Sequence, residues 1–278
     1  MTIIVFLTLP LSISSFIQAI IPTPLPQPQP QPQPQSPQAP RLSPSSPLNQ
    51  PSPAQPRSMS SSSSSTGDSY PPVGKTAIVT GGSSGIGRSA AVALAKAGWN
   101  VVVTGRRVEQ LQESVDLIDQ AAERKGAGKF VQGELTKEEV VQDTFSQTLK
   151  EYGRVDLIFC NAGISPPNVP FAEQKLSDWK ATVDINLTAP FLCAREAFRV
   201  MSKQSPKGGR IIINGSISAH TPRPMSAPYT ATKHAMTGLT KSLSLDGREH
   251  DIAVSQIDIG NAASDMTTFM REGPGPKQ

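Results

Sequence analysis

Cysteine and histidine are both scarce in this chain of 278 residues. The two cysteines, Cys160 and Cys193, lie in apolar stretches without a CxxC spacing or a neighbouring histidine. The three histidines, His220, His234 and His250, stand apart without the spacing of metal ligands. Because disulfide frameworks and metal sites need paired or clustered ligands, we expect buried reduced thiols, no disulfide and no metal site.

A concentrated run of basic charge is also absent. The formal net charge is +4, and the 26 lysines and arginines are interleaved with the 22 acidic residues. Nucleic-acid-binding domains instead carry their basic residues as a patch or stripe. We therefore expect no nucleic-acid partner.

Residues 1–72 lack the composition of a folded domain. Acidic residues are missing before Asp68, and 17 of the 27 prolines occur through Pro72, together with a glutamine–proline alternation and a serine run. Because few apolar side chains are available there to offset the entropy of ordering, residues 21–70 are predicted to be disordered. A proline-rich ligand for another protein is an alternative interpretation of residues 22–57.

The first 21 residues are uncharged and mostly apolar, with Pro10 in their middle. They resemble the apolar part of a secretory signal but lack a positively charged start and a clear cleavage site. An organelle-targeting sequence and a segment outside the working protein are the alternatives. We expect a cytoplasmic protein whose core does not enter a membrane, with targeting by residues 1–21 left open.

Residues 73–278 alternate between short apolar runs and longer helical patterns. Continuous apolar runs are typical of strands buried on both faces, as in a parallel sheet covered by helices. The alternation predicts an α/β domain with a single Rossmann-like, doubly wound parallel sheet. The predicted strands are 76–80, 100–104, 129–133, 155–160, 210–215 and 252–258, and the helices are 85–97, 109–125, 137–152, 175–203 (bent near Pro190) and 227–249.

A glycine-rich loop, TGGSSGIG, connects the first of these strands to a helix. Gly81 permits a sharp turn, Gly85 lets a diphosphate approach the main chain, and Gly87 lets the helix pack close to the strand. Ser83, Ser84 and Ile86 complete a loop whose helical N–H groups would face phosphate. The alternative is a tight turn without a ligand.

Five elements together resemble the short-chain dehydrogenase/reductase family, over most of the core. TGGSSGIG resembles its glycine motif, CNAG at residues 160–163 its NNAG, and YTATK at residues 229–233 its YxxxK. Ser216 stands 13 residues before Tyr229, where the family has a serine, and Asn186 in DINLT resembles its helix asparagine.

The resemblance implies hydride transfer between a nicotinamide cofactor and a carbonyl or secondary alcohol. Tyr229 would be the general acid or base, and Ser216 would hydrogen-bond the substrate oxygen. Lys233, four residues after Tyr229 and on the same helix face, would bind the nicotinamide ribose and lower the tyrosine pKa, which is about 10 in water. Asn186 would hold a water that links Lys233 to solvent.

The end of the strand 100–104 predicts the cofactor. An acidic residue there usually binds the ribose of NAD, but this chain has Gly105, Arg106 and Arg107. Arginine can pair with a 2′-phosphate, so we predict NADP(H); a solvated arginine pair is the alternative. The remaining cofactor contacts implied by the resemblance are Glu134, Leu135, Asn161, Ala162, Gly163, Ile259 and Ser264.

The chain departs from the family after the last predicted strand. The family continues with a helix that covers the substrate and with a seventh strand, whereas this chain stops at Gln278. We therefore expect a C-terminally shortened member with strand 252–258 at an exposed sheet edge. Whether the protein forms a homo-oligomer is left open. The alternative to an active enzyme is a catalytically weak protein that binds a nucleotide or a partner.

Overall fold

The computed structural model describes residues 74–260 and the main chain of Thr2–Val5. The predicted disorder of residues 21–70, the cofactor contact assigned to Ser264 and the C-terminal tail lie outside the described residues. No helix in the described part of the chain is both long and apolar enough to span a bilayer.

Seven parallel strands form one sheet in the described residues. The order across the sheet is β1-β7-β6-β5-β2-β3-β4. All six predicted strands are present, which confirms the Rossmann-like fold class. The strands are β1 (Thr2–Val5), β2 (Thr76–Thr80), β3 (Asn100–Gly105), β4 (Gly128–Gln132), β5 (Leu157–Cys160), β6 (Gly209–Asn214) and β7 (Ile252–Ile259).

Six α-helices connect the strands of the core. They are α1 (Gly85–Lys96), α2 (Val108–Ala121), α3 (Glu138–Tyr152), α4 (Leu176–Val183), α5 (Ala189–Met201) and α6 (Ala227–Asp246). The predicted bend near Pro190 is a π-helical turn at Asp184–Thr188, which separates α4 from α5. Helix α2 ends four residues before its predicted end because Asp119 accepts hydrogen bonds from Gly126 N–H and Gly128 N–H and closes a turn.

The seventh strand was not predicted. Strand β1 pairs in parallel with β7, with Thr2 opposite Gln256 and Val5 opposite Ile259. The expectation that strand 252–258 lies at an exposed sheet edge is therefore wrong. Local patterns cannot reveal this pairing because its two partners are separated by most of the chain.

Two apolar layers cover the sheet. Ile78 of β2 faces the layer that contains Phe145 of α3, whereas Val79 faces the layer that contains Leu94 of α1. Burial on both faces explains why these strands read as continuous apolar runs. Cys160 and Cys193 are both buried free thiols, as predicted.

The chain reverses its direction of winding between β2 and β5. Ligands bind open α/β sheets in the crevice at this point, beyond the carboxyl ends of the strands. The glycine loop after β2 and the residues that follow β5 and β6 meet at this edge. The fold thus brings the predicted cofactor loop and the predicted catalytic residues to one side of the sheet.

Candidate active site

The conformation and packing of the glycine loop require residues without a Cβ. Gly81 and Gly85 have φ angles of +66° and +53°, in the left-handed region that favours glycine. A Cβ at Gly87 would stand 2.6 Å from Asn161 Nδ2 and would overlap the carbonyl oxygen of Gly81. Helix α1 can therefore begin directly against the ends of β2 and β5 only with glycine at residue 87.

The first turn of α1 offers unpaired N–H groups to the crevice. Its N-cap, Ser84, makes no side-chain capping hydrogen bond, and its first turn contains no acidic residue. The first N–H groups of a helix have no intrahelical acceptor, and the helix dipole favours an anion beside them. Ile86 lies in this turn and is partly exposed.

Arg107 reaches from the end of β3 to this loop. Its Nη2 donates to Ser83 Oγ at 3.0 Å and to Ser84 Oγ at 2.9 Å. Arg106 and Arg107 are both exposed and directly follow Gly105, the last residue of β3. A guanidinium therefore stands over the hydroxyls of the glycine loop.

A second arginine, Arg88, hydrogen-bonds to the main chain of the loop. It was not predicted from the sequence. Its Nη2 donates to the carbonyl oxygen of Ser83 at 2.6 Å, and its Nε donates to Ser114 Oγ at 2.8 Å. Ser114 Oγ in turn donates to the carbonyl oxygen of Gly82. The position of Arg88 one residue after the last motif glycine was the only signal available in the sequence.

The residues that follow β5 are tied to the end of β2. Thr80 Oγ1 accepts hydrogen bonds from Asn161 N–H at 2.8 Å and from Ala162 N–H at 3.0 Å. Asn161 Nδ2 donates to the carbonyl oxygen of Thr80, and Asn161 Oδ1 accepts from Asn214 Nδ2 at 2.9 Å. Asn161 therefore joins the ends of β2, β5 and β6, and Gly163 follows beside Asn186 Oδ1.

The other predicted cofactor residues lie at the ends of strands, and their side chains differ in solvent exposure. Glu134, after β4, is exposed. The side chains of Leu135 and Ile259 are each 6% exposed and belong to the apolar core. Only the main chains of these two residues are left to contact a ligand.

Ser216, Tyr229 and Lys233 come together beyond the carboxyl end of β6. The side chains of Ser216 and Tyr229 share a hydrogen bond. Lys233 Nζ lies 5.4 Å from the centre of the Tyr229 ring and donates to the carbonyl oxygen of Asn214 at 2.7 Å. Ser216 and Lys233 are buried, whereas Tyr229 is partly exposed.

The protonation of this cluster is governed by burial. Burial raises the pKa of Tyr229, while the hydrogen bond to Ser216 and the positive charge of Arg223 act in the lowering direction. Burial lowers the pKa of Lys233 to about 8, and the negative charge of Asp258 opposes that shift. In the protein alone, loss of hydration at the phenol outweighs the nearby positive charge. The lowering of the tyrosine pKa by Lys233 stays a prediction.

Asn186 lies in the π-helical turn and is almost fully buried. Its Oδ1 accepts from Ile164 N–H at 2.8 Å, and its Nδ2 donates to the carbonyl oxygen of Ile164 at 2.9 Å. Its Nδ2 also lies 3.4 Å from Thr232 Oγ1, one residue before Lys233. Asn186 thus links the segment after β5 to the helix that carries Tyr229 and Lys233.

Two further groups belong to this cluster and were not predicted from the sequence. Asp258 is a fully buried carboxylate at the end of β7, and His220, noted above only for its lack of metal-ligand spacing, pairs with it at 2.7 Å. The available signal was an acidic residue inside the apolar run IAVSQIDI, where a charge needs a partner.

Comparison with known proteins shows which family the chain belongs to. Residues 75–275 match the profile of the short chain dehydrogenase family. The short chain dehydrogenase/reductase astE of Aspergillus oryzae is 34% identical over 194 residues, which cover 70% of this chain and 73% of that protein. The 3-oxoacyl-[acyl-carrier-protein] reductase of Synechocystis is 32% identical, covering 72% of this chain and 79% of that protein.

Solved structures share the fold. A putative short-chain alcohol dehydrogenase from Sinorhizobium meliloti superposes with a TM-score of 0.67 at 32% identity, over 72% of this chain and 77% of that one. A 3-ketoacyl-(acyl-carrier-protein) reductase from Brucella melitensis, complexed with NADH, has a TM-score of 0.65 at 24% identity, covering 70% and 79%, and supports the fold alone. By its sequence, and by the fold it shares with these structures, the chain belongs to the short-chain dehydrogenase/reductase family of oxidoreductases, which bind nicotinamide cofactors.

Proposed function

We propose that this protein is an NADP(H)-dependent oxidoreductase that interconverts a carbonyl compound and a secondary alcohol, with Tyr229 as the general acid or base. The hydrogen bond between Ser216 and Tyr229, with buried Lys233 beside the tyrosine ring, carries the proposal. Two hydroxyl groups converge there on the space where a carbonyl oxygen would accept hydrogen bonds.

The residues present fit a dinucleotide. The uncapped N-terminus of α1 supplies N–H donors for a diphosphate, and Gly85 places no Cβ in front of them. Ala162 and Gly163 border the same crevice after β5. When bound, the cofactor supplies or accepts the hydride at the substrate carbon.

Arg107 supports NADP(H) over NAD(H). Its guanidinium already donates to Ser83 and Ser84, so these three side chains form a cationic, hydrogen-bonding corner of the loop. A 2′-phosphate could accept from all three side chains, whereas a 2′-hydroxyl gains little from a cation. The NADH bound to the Brucella protein belongs to that protein, and here selectivity depends on residues 105–107.

The raised pKa of Tyr229 keeps its phenol protonated at neutral pH. In the reductive direction the phenol gives its proton to the carbonyl oxygen as the carbon–oxygen double bond becomes a single bond, and Ser216 stabilises the developing negative charge. The positive charge of Arg223 favours the phenolate that remains. We expect the ammonium of Lys233, which lies beside the ring, to do the same. In the oxidative direction the same phenolate takes the alcohol proton.

The test is turnover by the full chain and by Tyr229→Phe. NADPH oxidation is followed with trifluoroacetophenone, a β-keto ester and a keto steroid. The last two are chosen because relatives include a 3-oxoacyl-[acyl-carrier-protein] reductase and a 3beta-hydroxysteroid dehydrogenase. We expect Tyr229→Phe to lower kcat by about 10²–10⁴-fold, the usual contribution of a positioned acid or base, with NADPH binding unchanged.

Tyr152→Phe is the matched control, because the Tyr152 hydroxyl bonds Gly126 away from the site. The proposal is wrong if Tyr229→Phe turns over at the wild-type rate. Binding of NADPH without consumption of any of the three ketones by the wild type would instead support the alternative, a nucleotide-binding protein without turnover.

A further inference from the structure

We propose that His220 and Asp258 form a positioning pair that fixes the Ser216 hydroxyl for the reaction proposed above, on which this inference rests. The pair lies outside the set of residues suggested by the family motifs. It joins β7 to the segment between Ser216 and Tyr229, and its geometry involves the main chain at Ser216 itself.

Asp258 is a fully buried carboxylate with three hydrogen-bond partners. Its Oδ1 accepts from Ser216 N–H at 3.0 Å and from Gln256 Nε2 at 2.7 Å. Its Oδ2 lies 2.7 Å from His220 Nε2. A carboxyl group without partners at this depth would be strongly destabilising, so these three contacts are what make its burial possible.

One carboxylate therefore holds both ends of a short turn. The turn Ile217–Ala219 begins after Ser216 and ends before His220, and each of these flanking residues bonds a different oxygen of Asp258. Within the turn, Ser218 N–H donates to Ser216 Oγ at 3.1 Å. The direction of the serine hydroxyl is thus set by a structure that Asp258 and His220 close.

The main chain is shaped to admit the carboxylate. A Cβ at Gly215 would overlap Asp258 Oδ1 and would come within 2.8 Å of Gln256 Nε2. Only glycine at this position lets the end of β6 approach Asp258. The arrangement extends over the end of β6, the following turn and the end of β7.

The carboxylate also acts on Lys233. Its negative charge favours the protonated lysine against the effect of burial. The charged or titratable groups near this centre are His220 on the turn, Lys233 and Tyr229 on α6, and Arg223, whose charge acts on Tyr229. Asp258 is thus placed to position Ser216 and to support the charge of Lys233.

The experiment compares the full chain with His220→Ala, His220→Gln and Asp258→Asn, using NADPH and whichever of the three ketones the wild type reduces. A glutamine amide can replace the Nε2–H donor of histidine. We expect His220→Ala to lower kcat by about 10-fold to 100-fold, as small displacements of catalytic groups do, with little change in NADPH affinity. His220→Gln is expected to keep most of the wild-type kcat.

Asp258→Asn keeps an oxygen for Ser216 N–H but removes the charge. We expect the fall in activity at high pH to begin at a lower pH than in the wild type, because Lys233 loses its proton more easily. A purely structural role for Asp258 would lower activity equally at every pH and would overturn this part of the inference.

His250→Ala, at the amino end of β7, is the control histidine and is expected to behave as wild type. Hydrogen exchange of amides 216–220 gives a second measurement without turnover: exchange is expected to be faster in His220→Ala and unchanged in His250→Ala. Wild-type kcat and wild-type exchange in His220→Ala would overturn the inference, whatever substrate is used. If Tyr229→Phe then remains inactive, the proposed function survives this failure.

Discussion

At the scale of the residue, Lys233 holds an ammonium group where water hardly reaches. Its Nζ donates to the carbonyl oxygen of Asn214, and its pKa is lowered by burial to about 8. A lysine with an ordinary pKa stays charged throughout the physiological range. Lys233 therefore loses its charge within a pH range where the protein can be assayed.

This predicts an alkaline decline in activity. Since the protonated lysine favours the tyrosinate formed in reduction, kcat/KM should fall as pH rises through about 8. The pKa of Lys233 is lower in the folded protein than in the unfolded chain. Burial of the charged lysine therefore lowers the free energy of unfolding fully below about pH 8, and this destabilisation decreases as pH rises above 8. Above about pH 8, activity should therefore fall while stability does not. Circular dichroism over the same pH range shows whether the protein stays folded. A flat pH profile to pH 10 would contradict the assignment.

Sequence motifs predicted Ser216, Tyr229 and Lys233 but not the contacts that hold them in place. Tyr229 and Lys233 could be identified because their spacing on one helix is local. The pairing of His220 with Asp258, and the role of Thr80 as acceptor for Asn161 and Ala162, depend on strands far apart in the chain. Such contacts depend on the order of the strands in the sheet, which cannot be predicted from individual residues or short motifs.

At the scale of the element, the approach of α1 to the sheet decides whether the glycine loop can bind phosphate. Gly87 lies where the helix meets the carbonyl oxygen of Gly81 and the amide of Asn161. The Asn161 amide is itself fixed by Thr80 and Asn214, so it cannot turn away without breaking the link between three strands.

Gly87→Ala is therefore expected to push α1 outward. Overpacking of this kind usually lowers the free energy of unfolding by about 1–3 kcal/mol. The control is Gly238→Ala in α6, where a Cβ meets nothing within 4 Å. Because alanine is favoured over glycine inside helices, Gly238→Ala should raise stability by about 0.5–1 kcal/mol. Urea unfolding and NADPH titration of both variants measure the effect, and equal behaviour would contradict the packing role of Gly87.

Element boundaries were predictable to within a few residues, except where side chains interrupt the helical pattern. The separation of α4 from α5 was expected at Pro190, but the irregular turn lies before it and contains Asn186. The bonds from Asn186 to both main-chain groups of Ile164 hold that turn against the segment after β5. Helical periodicity contains no signal for such an anchor.

At the scale of the whole molecule, the sheet is completed by the beginning of the chain. Strand β1 covers the side of β7 that would otherwise present unpaired N–H and C=O groups. The apolar composition of residues 1–21 was interpreted as a targeting signal or as a segment outside the working protein. The pairing of Thr2–Val5 with β7 gives part of this segment a structural role.

Deleting residues 1–5 should expose the edge of β7. We expect a melting temperature lower by about 2 °C or more, roughly the effect of 1 kcal/mol in a domain of this size, and association of molecules through the free edge. Deletion of residues 27–31, equal in length and within the glutamine–proline alternation, is the control. Scanning calorimetry and analytical ultracentrifugation provide the measurements. Identical behaviour of the two deletions would show that β1 does not stabilise the sheet.

The most direct test of the proposed NADP(H) site, on which the account depends, is a titration of the full chain with NADPH and with NADH, followed by nicotinamide fluorescence. Hydrogen bonds to charged groups contribute about 1.5–3 kcal/mol, so NADPH should bind about 10-fold to 100-fold more tightly than NADH. Arg107→Ala should remove this preference, whereas Arg124→Ala, whose guanidinium bonds Asn100 at the opposite end of β3, should retain it. Equal or stronger binding of NADH by the wild type, or no binding of either cofactor, would contradict the account.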